Sequence, residues 1–293
     1  MINPSVFKTA EGAAAYQTAY DAVLSLWPVP HQPLDVPTSY GTTHFNCAGD
    51  PNHPPLLLLH GAAVTSTEWY ANVGALSHHF RVYAPDVVNQ MGLSVSTHPL
   101  QTRQDCAAWL IELLAALKLE KATIIGHSLG GWLALNLAVS APDRVERLLL
   151  LSPAASFASV SWRFLLRFLL AVFVPTHKNI HRFIQSTTTM PLDERHVLIE
   201  QLMMGIKHFK PQQMGTPIFS VFKDDELRQL TMPTLLLIGE HEIIYKPTVV
   251  FERARRLLPH LEAELIMGGG HLFPIDQADA TNARLLKFLG VTQ

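Results

Sequence analysis

A serine hydroxyl becomes a nucleophile where the chain holds it clear of its neighbours and a base can take its proton. The stretch Gly126-His127-Ser128-Leu129-Gly130-Gly131 has the form that meets the first condition. It follows the β-branched run Ala122-Thr123-Ile124-Ile125, which reads as a buried strand. It precedes Trp132-Leu133-Ala134-Leu135-Asn136-Leu137-Ala138, which reads as a helix stopping before Pro142. A strand running straight into a helix needs a sharp turn whose apex residue adopts a strained backbone, and small residues two places either side, Gly126 and Gly130, permit it. Without those flanking elements the pattern would be an ordinary glycine-bracketed turn.

The base and the carboxylate that orients it come further along, in the order serine, acid, histidine that suits such an elbow. Thr234-Leu235-Leu236-Leu237-Ile238 is a continuous apolar run fit for a central parallel strand, and it ends in Gly239-Glu240-His241-Glu242. Ala263-Glu264-Leu265-Ile266-Met267 reads as a last strand ending in Gly268-Gly269-Gly270-His271, whose glycines let a loop bend His271 back over the strand ends. Both groups fall just past the carboxyl ends of strands, where open α/β sheets place their sites. The turn after the first of these runs offers two carboxylates, Glu240 and Glu242.

These residues carry a resemblance. From about Leu34 to Leu289 the chain resembles the α/β-hydrolases, in particular the lid-bearing carboxylesterase-like branch of bacteria and archaea. The matching landmarks are His60-Gly61 after a buried strand, the Ser128 elbow, the turn from Gly239 to Glu242, His271 after glycines, and Pro142-Asp143-Arg144-Val145 before a strand. The resemblance implies Ser128 as nucleophile, His271 as general base and Glu242 as acid, because the family turn places the acid three residues after its glycine. The family usually has Asp at the position of Glu242, a change of one methylene that still orients an imidazole. The family motif after Asp86 is stretched, with only Gly92-Leu93-Ser94 surviving after an apparent insertion, in a loop expected near the site mouth.

A tetrahedral oxyanion needs two backbone N–H donors. Leu129, at the start of its helix, is one expectation, since free N–H groups and the helix dipole favour an anion there. The other is Ala62 in the loop His60-Gly61-Ala62-Ala63, with Ala63 able to take the role after a small change of turn.

Composition narrows the class. At 293 residues the chain can hold one large α/β domain with an insertion, and 48% hydrophobic with 16% charged residues fits a soluble globular protein. A formal charge of −2 offers no electrostatic case for nucleic acid or an anionic membrane. The start, Met1-Ile2-Asn3-Pro4-Ser5-Val6-Phe7-Lys8, lacks the basic and apolar regions of a secretion signal, so a cytoplasmic location is expected. The two cysteines, Cys47 and Cys106, read as reduced, buried apolar residues. No metal is expected: the 15 histidines are scattered, and His241-Glu242-Ile243-Ile244-Tyr245 lacks the second histidine of a zincin. His78-His79 reads as a solvated helix end.

The elements that must position the site follow from periodicity. An N-terminal helix is expected over residues 10–27, then two antiparallel strands turning near Gly41, then alternating strands and helices. Arg81-Val82-Tyr83-Ala84-Pro85 reads as an edge strand, because proline cannot donate to a central ladder. Cys106, Trp109, Leu110, Leu113, Leu114 and Leu117 form a helical stripe facing the sheet. The alternation stops after Ser156. Residues 157–225 hold helical patterns only, at 162–174, 177–186 and 193–206, between core parts 1–156 and 226–293, and the resemblance makes this insertion a lid. On its first helix Phe164, Leu165, Phe168, Leu169 and Phe173 can line an apolar pocket, with Phe164 and Phe168 the tentative substrate contacts, or can simply fix the lid to the core. Met203 and Met204 read as adaptable apolar filler.

The expected fold is therefore a mostly parallel sheet flanked by helices with a helical lid. The expected reaction is hydrolysis of a small-molecule carboxylic ester through an acyl-serine, with no cofactor and no membrane span; oligomeric state is unread. Serine at the elbow argues against dehalogenation and epoxide opening, which use aspartate. C–C bond hydrolysis, lactone or thioester opening and cofactor-free perhydrolysis share the same triad, and a non-catalytic small-ligand receptor shares the scaffold.

Overall fold

The computed structural model of the chain describes residues 4–193, 196–210 and 220–291. Residues 194–195 and 211–219 of the expected insertion, and residues 1–3 of the N-terminal stretch, lie outside the described residues.

The leucine- and isoleucine-rich runs of the chain become neighbouring strands. These are β1 (His31–Thr38), β2 (Gly41–Ala48), β3 (Pro55–Leu59), β4 (Arg81–Pro85), β5 (Val95–Ser96), β6 (Ala122–His127), β7 (Val145–Leu151), β8 (Thr234–Gly239) and β9 (Leu261–Ile266). They form one sheet in the order β1-β2-β4-β3-β6-β7-β8-β9, with β5 joined to β2. The sheet is parallel from β4 to β9, and β2 is antiparallel to β1, β4 and β5. Every residue of β6 and β8 is buried, since helices cover both faces, and this is why those strands are apolar without alternation. Edge strand β9 alternates instead, and its exposed Glu262 and Glu264 pair with Arg284.

One face carries the helices Arg103–Ala116, Leu129–Ser140 and Pro247–Leu257, and the other carries Val73–Ser77 and Ala278–Leu289. The helix Arg103–Ala116 begins at a reciprocal cap: the Asp105 N–H donates to Thr102 Oγ1, and the Thr102 N–H donates to the Asp105 carboxylate. Its stripe from Cys106 to Leu114 is buried and Leu117 is partly so. Cys47 and Cys106 are free thiols, and burial pushes them up to about 11 and about 12.

Three expectations need correction. The strand Arg81–Pro85 is interior, between β2 and β3. Its proline is the terminal residue, two positions beyond the last pair with β3 (Leu57 with Tyr83), so that ladder asks no N–H of it. The N-terminal helix spans Ala10–Leu24 and stops short of Trp27, whose indole N–H donates to the Thr67 carbonyl. The stretched loop after Asp86 turns inward: Asp86 accepts from the N–H groups of Ser66 and Leu93, and Met91 is buried against the N-terminal helix.

Between β7 and β8 the described residues form the helices Trp162–Phe173, His177–Thr187 and Val197–His208, besides the short Asp224–Leu227. The N-terminal helix packs on Val197–His208 through Tyr16, Tyr20, Ile199, Leu202, Met203 and Ile206, with Met204 at the margin. Phe7 and Phe209 add an isolated β-bridge and a ring contact at 4.4 Å. Among the described residues no helix is long and apolar enough to cross a membrane.

Candidate active site

Ser128 stands at the junction of β6 and the helix Leu129–Ser140, at φ 50° and ψ −109°. Such a backbone is strained for a residue with a Cβ and persists only when its surroundings impose it. Here they do: the Ser128 N–H donates to the Leu151 carbonyl, and its own carbonyl accepts from Trp132 and Ala154. The glycines allow contact. A Cβ on Gly126 would stand 2.3 Å from the Gly130 oxygen, and one on Gly130 would stand 1.9 Å from the Leu59 oxygen.

Past β8 and β9 the two loops meet. His271 Nδ1 lies 2.9 Å from Glu242 Oε2, with the histidine side chain 6% and the glutamate side chain 0% exposed. Glu242 Oε1 accepts the N–H groups of Ile243 and Ile244 at 2.8 and 2.9 Å. Burial works to raise the Glu242 pKa, but the charge and hydrogen bond of His271 and the backbone N–H of Ile244 outweigh it and hold the carboxyl below its ordinary value. Glu240 faces elsewhere, accepting the Gly268 N–H at 2.9 Å. Of the three glycines only Gly268 needs a left-handed backbone, at φ 71°; a Cβ on Gly270 would press on the Thr187 carbonyl at 2.7 Å. The glycines thus serve close approach more than free bending, and the Leu272 N–H donates to the same Thr187 carbonyl.

Ser128 and His271 line one apolar cavity of about 350 Å³. Ala62, Ala63 and Leu129 share its wall, and among the described residues the N–H groups of Ala62 and Leu129 have no hydrogen-bond acceptor. Phe164 and Phe168 line it too, Phe164 tilted against Phe183 at 5.7 Å and Phe168 edge-on to Phe183 at 5.6 Å, and Phe164 stands edge-on to the His271 ring at 6.2 Å. Leu165 joins the lining, but Leu169 and Phe173 do not; they lie 38% and 76% exposed, because a helix presents only one stripe to the cavity. No residue of the loop 86–94 reaches the wall.

Sequence reasoning passed over two buried residues here, Glu68 and His127, which lie 3.3 Å apart. The available signal for His127 was an ionisable residue closing a strand and followed by a helix that carry no other ionisable side chain. Among the described residues no three His, Cys, Asp or Glu side chains gather as a metal-binding group.

A hydroxyl on a strained elbow, an imidazole held by a buried carboxylate and two free N–H groups around one cavity can perform acyl transfer. Over residues 56–284 the chain matches the alpha/beta hydrolase family. The chain belongs to that family. This alpha/beta hydrolase is 35% identical to the carboxylesterase YbfK of Bacillus subtilis over 99% of its own length and 98% of the relative's. The crystal structure of that carboxylesterase superposes with a TM-score of 0.89, covering 96% of this chain and 99% of the other at 34% identity. The naproxen esterase of Bacillus subtilis superposes at 0.87 and 32% identity, covering 96% and 99%. The meta-cleavage product hydrolase CumD of Pseudomonas fluorescens, at 0.74 and 22% identity over 88% of this chain and 97% of its own, shares the fold.

Proposed function

We propose that this alpha/beta hydrolase cleaves carboxylic esters through an acyl-serine intermediate, with Ser128, His271 and Glu242 as the triad. The observation that carries the reading is the 2.9 Å contact of Glu242 with His271, made beside the same cavity that Ser128 lines. Carboxylesterase relatives at 33–35% identity over nearly the whole chain support the ester as substrate.

In the first half-reaction His271 Nε2 takes the Ser128 proton as Oγ attacks the ester carbonyl carbon. The N–H groups of Ala62 and Leu129 hold the resulting oxyanion, while Glu242 stabilises the imidazolium. Collapse breaks the C–O bond, and His271 returns its proton to the departing alcohol. Water then attacks the acyl carbon as His271 takes its proton, and the second collapse breaks the bond to Ser128 Oγ, releases the acid and returns the His271 proton to that oxygen. The helices between β7 and β8 act as the lid that shapes the acyl or alcohol pocket.

A fluorophosphonate should label the wild-type protein once, at Ser128. Ser128→Ala should remain folded yet lose labelling and ester turnover, on the order of 10⁶-fold by analogy with a serine hydrolase lacking its nucleophile. Turnover above about a tenth of wild type in a clean Ser128→Ala preparation would remove the acyl-serine reading. Cleavage of a lactone or a C–C substrate in preference to p-nitrophenyl esters would keep the triad and move the substrate class.

A further inference from the structure

The residue before the elbow serine belongs to a second acid–histidine contact that no step above uses. His127 and Glu68 are 2% and 4% exposed, and His127 Nδ1 lies 3.3 Å from Glu68 Oε2. The other ring nitrogen, Nε2, lies 3.0 Å from the backbone oxygen of His271. The second oxygen of the carboxylate, Glu68 Oε1, accepts the Gly61 N–H at 2.8 Å. Gly61 immediately precedes Ala62. One buried pair, with its carboxylate on the turn Ser66–Ala71, therefore touches the Ala62 loop, the elbow and the His271 loop together.

The partners set the proton count. A carbonyl oxygen only accepts, so Nε2 of His127 carries hydrogen. An ionised carboxylate also only accepts, so either Nδ1 carries a second hydrogen or Glu68 carries its own. In both arrangements the pair holds one proton more than a neutral imidazole beside a carboxylate. The titratable groups facing His127 are Glu68, the His271 ring with its centroid 4.9 Å away, and Glu242 behind that ring. Burial opposes a charged ring, but the charge and hydrogen bond of Glu68 and the His271 carbonyl outweigh it, raising the His127 pKa from 6.5.

We propose that Glu68 and His127 are positioning residues, whose shared proton clamps the Ala62 loop and the His271 loop to the elbow and so sets an oxyanion donor and the base at once. This inference rests on the acyl-serine reading. When the proton leaves, the lone pair of Nδ1 meets the carboxylate and the clamp opens, so the pair gives wild-type activity an alkaline limb.

Replacement of Glu68 separates bonding from titration. In Glu68→Gln the amide oxygen can still accept from Gly61, its NH₂ can donate to a neutral His127, and Nε2–H can still reach the His271 carbonyl. Glu68→Ala removes the clamp. Wild type, both variants and Ser128→Ala are compared for p-nitrophenyl ester turnover from neutral to alkaline pH, beside their melting temperatures. Glu68→Ala should lose about tenfold to a hundredfold in kcat with KM little changed, since a misplacement of roughly 1 Å costs on the order of 10² in rate. Glu68→Gln should recover most of that loss and lack the wild-type alkaline limb. Should Glu68→Ala fail to fold, the Glu68→Gln profile decides alone. An alkaline limb shared by wild type and Glu68→Gln, a flat wild-type profile, or an undiminished kcat in Glu68→Ala overturns the clamp. An active Ser128→Ala would instead overturn the acyl-serine reading beneath it.

Discussion

Glu242 is a carboxylate that stays charged where burial opposes charge, and it does so because His271 and two backbone N–H groups compensate. Its amide should cripple turnover by about 10³–10⁴-fold, because an amide cannot stabilise the imidazolium and can favour the wrong tautomer. Glu240→Gln should leave turnover near wild type, since Glu240 serves the Gly268 N–H instead; the reverse pattern would exchange the two roles. The same residue gives an acid signature. A carboxyl whose folded pKa is depressed contributes stability above its unfolded value and loses it as pH falls through the folded value. Thermal unfolding followed downward from neutral pH should therefore fall more steeply for wild type than for Glu242→Gln, and parallel curves would remove Glu242 as a source of acid sensitivity. Ser128, His271 and the pair Glu240 and Glu242 could be singled out from the residues because each closes or follows an apolar run that a strand must use, while the preference for Glu242 came from the family resemblance. Glu68 could not, because it lies on the short turn Ser66–Ala71, where no elbow or strand end singles it out.

At the scale of elements, periodicity told more about which segments form than about where they sit. The alternation of strands and helices and its loss after Ser156 were readable, since burial on both sheet faces leaves long apolar runs that two-sided amphipathic helices lack. Strand order was less so: a proline in Arg81–Pro85 suggested an edge, but its terminal position let the strand sit inside the sheet. The helix Trp162–Phe173 shows the same limit, for its aromatic and leucine residues cover more than one stripe, leaving a sector to Arg163 and Arg167, and only some face the cavity. Phe164 and Phe168 offer the test. Replacing either by Ala should change the rate ratio between short- and long-acyl esters by about tenfold or more, since one methylene in an apolar pocket is worth roughly 1–3 kcal/mol. A lower melting temperature with an unchanged acyl-length profile would assign both rings to packing alone.

Over the whole molecule, the helices between β7 and β8 are held from two sides. Their cavity face meets the Ser128 and His271 loops, with the Thr187 carbonyl accepting from Leu272, while their far side is gripped by the N-terminal helix. Tyr16, fully buried among Phe7, Tyr20 and Phe209, is the centre of that grip. Tyr16→Ala should destabilise by about 3–5 kcal/mol, as for other large aromatic truncations. Hydrogen exchange should quicken first in His177–Thr187 and Val197–His208, and less in β6 and β8, because a region with fewer apolar contacts opens at lower free energy. Uniform loss of protection across sheet and insertion would show that the grip serves the entire fold. The two-sided hold also bears on how such enzymes can be recombined. The helices between β7 and β8 are contiguous in sequence, yet Val197–His208 packs on Tyr16 and Tyr20 of the N-terminal helix. A chimera that borrows the insertion from a relative must borrow the N-terminal helix with it, since a graft of the middle segment alone would set foreign side chains against Tyr16 and Tyr20.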